Sequence, residues 1–430
     1  MTAPGAQANR LKRTFEALSV RNFRLFAGGQ LLSVTCTWMM IVAQDWLVLS
    51  LSGDSGTALG LVTALQFTPV LLLTLMGGRL ADRYDKRVLL ICANAASGVL
   101  SLLFALAVLL PGAELWHVYL FALGLGTVNA VEVPTRLSFI SEMVGAELLP
   151  NASALSAAYF NAARVVGPAL AGLLISVLGT GPVIALNAVS YLATVLSLLA
   201  MRPGELQRGG APQRGATRVA DGLAYVRGRP DLLLPMALVG VVGMFGFNFQ
   251  LTLPLLAKTV FHADPRAFGL LASALAAGSL LAAFVTTARR GRPTATLVVA
   301  SAIAFGLLET LTGLAPTFAT ALVLLAATGF ASMTFAQATN HRIQLGSDPR
   351  FRGRVMALYA LIMQGTTPVG ALLLGWLAEH WGARSGLYVG GLVSLAAALA
   401  VLFVQLRGTG DGAPPDEDIR ANRPEVPDHR

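Results

Sequence analysis

Apolar runs long enough to cross a bilayer recur along the whole chain, separated by short polar segments. They fall near residues 23–50, 57–79, 87–110, 115–140, 152–178, 182–201, 232–257, 267–288, 294–314, 317–340, 354–378 and 385–406. A helical crossing needs about 20 apolar residues. Within the runs, polar positions do not alternate with apolar ones as they do in the strands of a membrane barrel. Hydrocarbon offers backbone groups no water to bond, so helix is the form that remains. The pattern predicts an all-α integral membrane protein with twelve transmembrane helices. Runs 23–50 and 232–257 exceed the hydrocarbon thickness and predict tilt or extension into the interface.

The polar segments carry lopsided charge. Those on one side hold Arg10, Lys12, Arg13, Arg21 and Arg24; Arg79, Arg83, Lys86 and Arg87; Arg202 through Arg229; Arg289, Arg290 and Arg292; and Arg350, Arg352 and Arg354. The opposite loops hold Lys258, Arg266 and Arg384. Basic residues stay on the cytoplasmic side, so both termini are expected there, in a multi-pass protein of the plasma (inner) membrane. Residues 202–231 form the longest interior segment and divide the runs six and six. The expected organisation is a cytoplasmic N-terminal segment (1–21), a first bundle (22–201), a linker (202–231), a second bundle (232–407) and a tail (408–430). In the linker, Val219, Leu223 and Val226 share one helical stripe, which predicts a short amphipathic surface helix. The tail is rich in Pro and charge and poor in large apolar residues, the composition of a disordered segment.

Composition narrows the function. The 430 residues are 55% hydrophobic and 12% charged, against about 25% charged in a soluble domain. Too little charge is present to coat a water-exposed surface of this size, so lipid is the solvent. A formal charge of +9 raises the question of nucleic acid, but the basic residues lie in short loops without interleaved aromatics, and no nucleic-acid partner is expected. Cys36 and Cys92 both lie in apolar runs and make neither a disulfide framework nor a Cys/His metal site. The first twenty residues lack the apolar core of a cleavable signal. No phosphate loop of the Gly-x-x-x-x-Gly-Lys-Ser/Thr type occurs, so work across the membrane has to draw on a gradient. No enzyme chemistry, cofactor or metal is expected.

The two sets of six runs share an internal order. Arg136, Arg164 and Pro168 in the first half correspond to Arg342, Gln364 and Pro368 in the second, with a loop shorter by six residues. Two parallel six-helix repeats enclosing a site at their interface are a common transporter plan.

The densest charge is Gly78-Arg79-Leu80-Ala81-Asp82-Arg83-Tyr84-Asp85-Lys86-Arg87, pinned between the second and third runs. Gly78, Leu80, Ala81, Asp82, Arg83, Lys86 and Arg87 match the Gly-x-Leu-Ala-Asp-Arg-x-Gly-Arg-Lys signature of the major facilitator superfamily, with Asp85 where that pattern has Gly. Gly167-Pro168 with Gly172 resembles the Gly-Pro motif of the family's exporters, with Ala171 at its second glycine. Pro removes a backbone donor and Gly removes bulk, which suits a helix that bends and packs closely. Arg21-Asn22-Phe23-Arg24-Leu25, Thr37-Trp38-Met39, Trp46-Leu47-Val48 and Gly222 to Pro230 resemble the branch of enterobactin exporters and macrolide efflux proteins, the transmembrane secretion effectors. The resemblance covers roughly residues 20–407. It implies two pseudo-symmetric six-helix bundles, with Gly78, Asp82, Arg83 and Arg87 latching the outward-open state. It also implies secondary active export of amphipathic small molecules, drug-like or siderophore-like, by alternating access and proton antiport. The partners expected are a small-molecule substrate, protons and membrane lipids, for a monomeric protein. An importer or facilitator on the same fold, or a lipid scramblase, is the alternative.

Ionisable groups within spans are functional candidates because they are costly there. Glu132 and Arg164 lie at matching depths on the fourth and fifth spans. Two readings stand: a proton-coupling ion pair, or a static pair that joins helices. Arg136, one turn from Glu132, competes as its partner. Asp45, near the outer end of the first span, is a gate or proton-entry candidate or a plain interfacial carboxylate. Glu309 is expected at the periphery, and His117 and His262 at the interface. The amides Asn129, Asn161, Asn248, Gln250, Gln337, Asn340 and Gln364 lie on spans which, in this fold, line the central cavity; helix-to-helix bonding is the other reading of each.

Overall fold

The computed structural model describes residues 15–207, 219–287 and 291–410. Arg10, Lys12, Arg13, Arg289, Arg290, much of the linker's first half and the tail beyond residue 410 lie outside the described residues. The described chain is helical, with no strand.

Eleven helices are long and apolar enough to cross a membrane. In the first half they are α1 (Arg21–Ser52), α2 (Gly56–Arg83), α3 (Lys86–Leu109), α4 (Leu115–Leu178) and α5 (Thr180–Leu199). Helix α4 has 64 residues, about 96 Å at 1.5 Å per residue, three times the hydrocarbon thickness of about 30 Å. It is two crossings joined at Gly145, whose φ of 74° and ψ of 177° are closed to other residues. The twelve predicted crossings are therefore present, with the fourth and fifth fused around a glycine corner.

The linker helix α6 (Val219–Arg227) precedes the second half. Its buried positions are Gly222 and Val226, while Leu223 is exposed, so the inward stripe differs from the one expected. Gly222 packs on the Arg354 backbone, and Tyr225 stacks on Phe351 with ring centroids 4.5 Å apart. The helix docks on protein, against the start of the eleventh crossing.

The seventh crossing is broken into α7 (Pro230–Phe245) and α8 (Phe249–Leu255), the latter running into a π-turn at Leu256–Val260. The others are α9 (Pro265–Thr287), α10 (Ala295–Gly313), α11 (Phe318–Gly346), α12 (Arg352–Trp381) and α13 (Ser385–Gly410). At the break Asn248 Nδ2 donates to the Met244 carbonyl at 2.8 Å, replacing a backbone donor that the break removes.

The halves meet along two helix pairs, α2 with α12 and the second part of α4 with α9. Contact is concentrated at the end opposite the termini. One apolar core there draws on both halves, including Val48, Leu59, Ile175, Leu255, Leu271 and Leu374. At the end bearing the termini each half has its own core, around Phe23 and Phe139 in one and Phe305 and Phe335 in the other. Leu72, Leu75 and Met76 on the inner part of α2 are exposed. The molecule is closed at one end and parted at the other.

Candidate functional site

Small residues let the closed end form. A Cβ on Gly60 of α2 would lie 2.4 Å from the Ala371 carbonyl oxygen of α12, and one on Gly269 of α9 would lie 2.2 Å from the Pro168 carbonyl oxygen. Both are contacts with backbone, which cannot swing aside. Gly172 meets Pro265 in the same crossing, while Gly167 lies against Trp38 of α1. The Gly167, Pro168 and Gly172 cluster thus serves as a packing surface. Gly145 is the residue with non-helical dihedrals inside α4, so the expected bend at Pro168 is not where this helix breaks.

Polar contacts reinforce the same end. Lys258 pairs with Asp54 at 2.7 Å and donates to Ser50 Oγ at 3.2 Å. Ser55 Oγ donates to Glu379 at 2.8 Å, Arg266 Nε to Ser176 Oγ at 2.7 Å, and Ser273 Oγ to the Val165 carbonyl at 2.7 Å. Each joins one half to the other.

Beneath this closure a cavity of 300 Å³ sits between the halves. Trp38, Phe67, Phe247, Phe249 and Phe268 supply aromatic walls, and Asp45, Arg164 and Gln250 supply the polar groups. Arg164 places its guanidinium over the Trp38 ring, 5.8 Å from the centroid, and Phe160 meets that ring edge-on at 6.0 Å. Gln250 approaches Asp45 from α8, but among the described residues neither Asp45 oxygen has a hydrogen-bond partner. Asp45 has 0% exposure. This corrects the interfacial placement, because α1 runs on to Ser52 and buries Asp45 beneath the closure.

The proposed Glu132–Arg164 pair is not formed. Glu132 Oε1 accepts from Arg136 Nε at 3.0 Å, one turn along the same helix. Matching depth on two helices leaves rotation about each axis open, and Arg164 is turned toward α1.

The seven amides divide. Gln250 lines the cavity, Asn248 caps the helix break, and Gln337 accepts from Thr286 of α9. Asn161 donates to the Ala157 carbonyl of its own helix at 2.8 Å. Asn129 and Asn340 are half-buried and Gln364 is exposed. Trp38, Phe67 and Phe268 are site residues that sequence reasoning did not place, since an aromatic residue in an apolar run carries no mark of which way it points.

In the loop between α2 and α3, Asp85 caps α3 by accepting from the Arg87 and Val88 amides at 2.9 and 3.2 Å. That accounts for a carboxylate where the superfamily pattern has Gly, since Asp is favoured at a helix N-cap. Arg87 donates to the Leu198 and Leu199 carbonyls at 2.7 and 3.0 Å, tying α3 to the end of α5 within one half. Gly78, Asp82 and Arg83 lie at the parted end; Asp82 and Arg83 are exposed, and a Cβ on Gly78 would meet nothing.

Two six-helix halves that close over a cavity holding a buried acid and a half-buried base define a transporter of the major facilitator fold. A bacterial homologue of the human lysosomal transporter Spinster has this fold, at TM-score 0.71 and 15% identity over 94% of this chain and 99% of that one. The chain belongs to the transmembrane secretion effector family, whose profile matches residues 12–426. It is similar to the multidrug efflux pump Tap of Mycolicibacterium fortuitum, 26% identical over 85% of this chain and 91% of that protein. It is also similar to the enterobactin exporter EntS of Shigella boydii, 26% identical over 77% of this chain and 80% of that one.

Proposed function

We propose that this transporter exports amphipathic small molecules, drug-like or siderophore-like, in exchange for protons, with Asp45 as the coupling carboxyl and Arg164 as its tuning cation. The observation that carries the reading is a fully buried Asp45 sharing one aromatic-walled cavity between the halves with a half-buried Arg164. A charge buried at this depth is costly unless neutralised. Asp45 therefore exchanges a proton for the charge of a substrate or of Arg164, and each protonation state favours a different access state. Aromatic walls with few polar groups suit an amphipathic ligand. The efflux and export named in two relatives support the outward direction.

The Lys/Arg distribution makes the parted end cytoplasmic, so the conformation described is inward-open, in a monomer of the plasma membrane with both termini inside. Asp82, free of a partner half at this end, then latches the outward-open state when the cytoplasmic ends close. Its favoured partner there is a helix N-terminus of the second half. Glu132, held by Arg136, is left a structural role.

The test is reconstitution into liposomes. A labelled lipophilic cation or a ferric-free siderophore accumulates against an imposed proton gradient in this reading. Equal fluxes with and without the gradient, in both directions, would instead identify a facilitator.

A further inference from the structure

Glu309, expected at the periphery, has 1% exposure and lies inside the second half. It projects from α10 one turn beyond Phe305. The Phe305 ring meets Phe247 and Phe249 edge-on at centroid distances of 5.3 and 6.2 Å, so this face of α10 looks onto the break in the seventh crossing. Gly390 of α13 closes the third side. A Cβ there would lie 2.4 Å from the Phe245 carbonyl oxygen and 3.3 Å from Glu309 Oε1, so both oxygens border the same space at Gly390.

The break leaves the Phe245 carbonyl without its helical donor. The amides of Gly246 and Phe247 both turn back to Val242, and Asn248 serves Met244. Among the described residues no donor reaches Phe245. Glu309 Oε2, Ser394 Oγ and Asn248 Oδ1, all buried beside the break, are unpartnered as well. The titratable groups nearest it are Arg384, just before α13, and Tyr388 of α13; those of the seventh crossing lie at its two ends, where Asp231 pairs with Arg229 and Arg292 and Lys258 pairs with Asp54. Arg384 is already engaged by the Gly313 and Ala315 carbonyls at 2.9 and 2.8 Å. No counter-ion faces Glu309, and an ionised carboxylate would repel the carbonyl oxygen beside it. A protonated one is a donor beside an orphan acceptor.

We propose that Glu309 is a second proton-binding carboxyl, which when protonated donates to the Phe245 carbonyl and holds the seventh crossing in its broken form. The break then lies between two carboxyls, Asp45 of the first half across Gln250 and Glu309 of the second across Phe305. Loss of the Glu309 proton removes the donor and favours rejoining of α7 and α8, which carries Phe247, Phe249 and Gln250 out of the cavity wall. The consequence for transport rests on the antiport reading above; the proton site itself does not.

The full-length protein in lipid tests both parts. Infrared difference spectra of wild type minus Glu309→Gln should show a protonated-carboxyl C=O band near neutral pH, and Asp45→Asn should retain it. Superimposable wild-type and Glu309→Gln spectra would overturn the proposal. Spin labels at Leu233 and Val260 should report a distance that shifts with pH in the wild type. It should stay at its acid value in Glu309→Gln, whose amide still donates, and at its alkaline value in Glu309→Leu. A distance that ignores pH in the wild type, or titrates alike in all three proteins, overturns the hinge role. Gradient-driven flux with no Glu309 band sinks this inference alone, whereas the band without gradient-driven flux sinks the antiport reading and leaves Glu309 standing.

Discussion

Lys258 Nζ lies 2.7 Å from Asp54 Oδ1 and 5.4 Å from the centre of the Trp46 ring, so one ammonium clamps the end of the broken seventh crossing to the corner between α1 and α2. The clamp spans the two halves at the end where they meet. Their side chains are 21% and 39% exposed, which holds the pair to roughly 0.5–1 kcal/mol. Asp54→Asn should therefore raise the population open at this end about two- to fivefold, with little change in folding. Spin labels at Thr57 and His380 would read the change as a growing long-distance component, which high salt should also raise in the wild type by screening the pair.

A larger shift is expected where backbone meets backbone. Gly269→Ala puts a methyl 2.2 Å from the Pro168 carbonyl oxygen, an overlap of the kind that costs about 1–3 kcal/mol. The separate cores of the two halves at the parted end are untouched. The variant should fold, insert and populate the opposite access state, seen as thiol reactivity gained at the closed end and lost at the parted end.

Asp45→Asn removes the carboxyl in the cavity while keeping its shape. Gradient-driven accumulation in liposomes should fall about tenfold or more, equivalent to ~1.4 kcal/mol or more, while substrate binding to the detergent-solubilised protein persists. Unaltered dependence on the proton gradient would remove Asp45 from coupling.

Glu132→Gln should leave that dependence intact, because its partner Arg136 is on the same helix and neither residue lines the cavity. The cost is to stability. Arg136 and Glu132 are 17% and 14% exposed, and an arginine deprived of its partner there should lower unfolding stability by roughly 1 kcal/mol. A thermal unfolding curve checks this.

Asp82→Asn should insert and fold normally, since Asp82 is exposed and the inward-open form does not call on it. Transport should drop because the outward-open state loses its latch. Full activity of this variant would end the latch reading.

Much of this architecture is legible along the chain. Hydropathy counts crossings because lipid acts on each segment separately, and the Gly78–Arg87 loop is recognisable because its charges are contiguous. The fused fourth and fifth crossings escaped notice for a local reason: polar residues around Gly145 look like a loop, yet one glycine turns the chain while helix continues on both sides.

Depth along a helix was also readable, and it paired Glu132 with Arg164. Direction around the helix was not. That depends on how α1, α4, α7 and α8 cross, and the crossings turn Arg164 to Trp38 and leave Glu132 to Arg136. The same holds for Asp45 and Glu309, which sit near span ends in sequence and are buried in space. Hydropathy, charge and contiguous motifs along the chain suffice for the membrane crossings, their division into halves and the family. Which carboxyls lose water depends on the packed helices, because burial is set by neighbouring helices and by the break at Phe245–Phe249, neither of which hydropathy records.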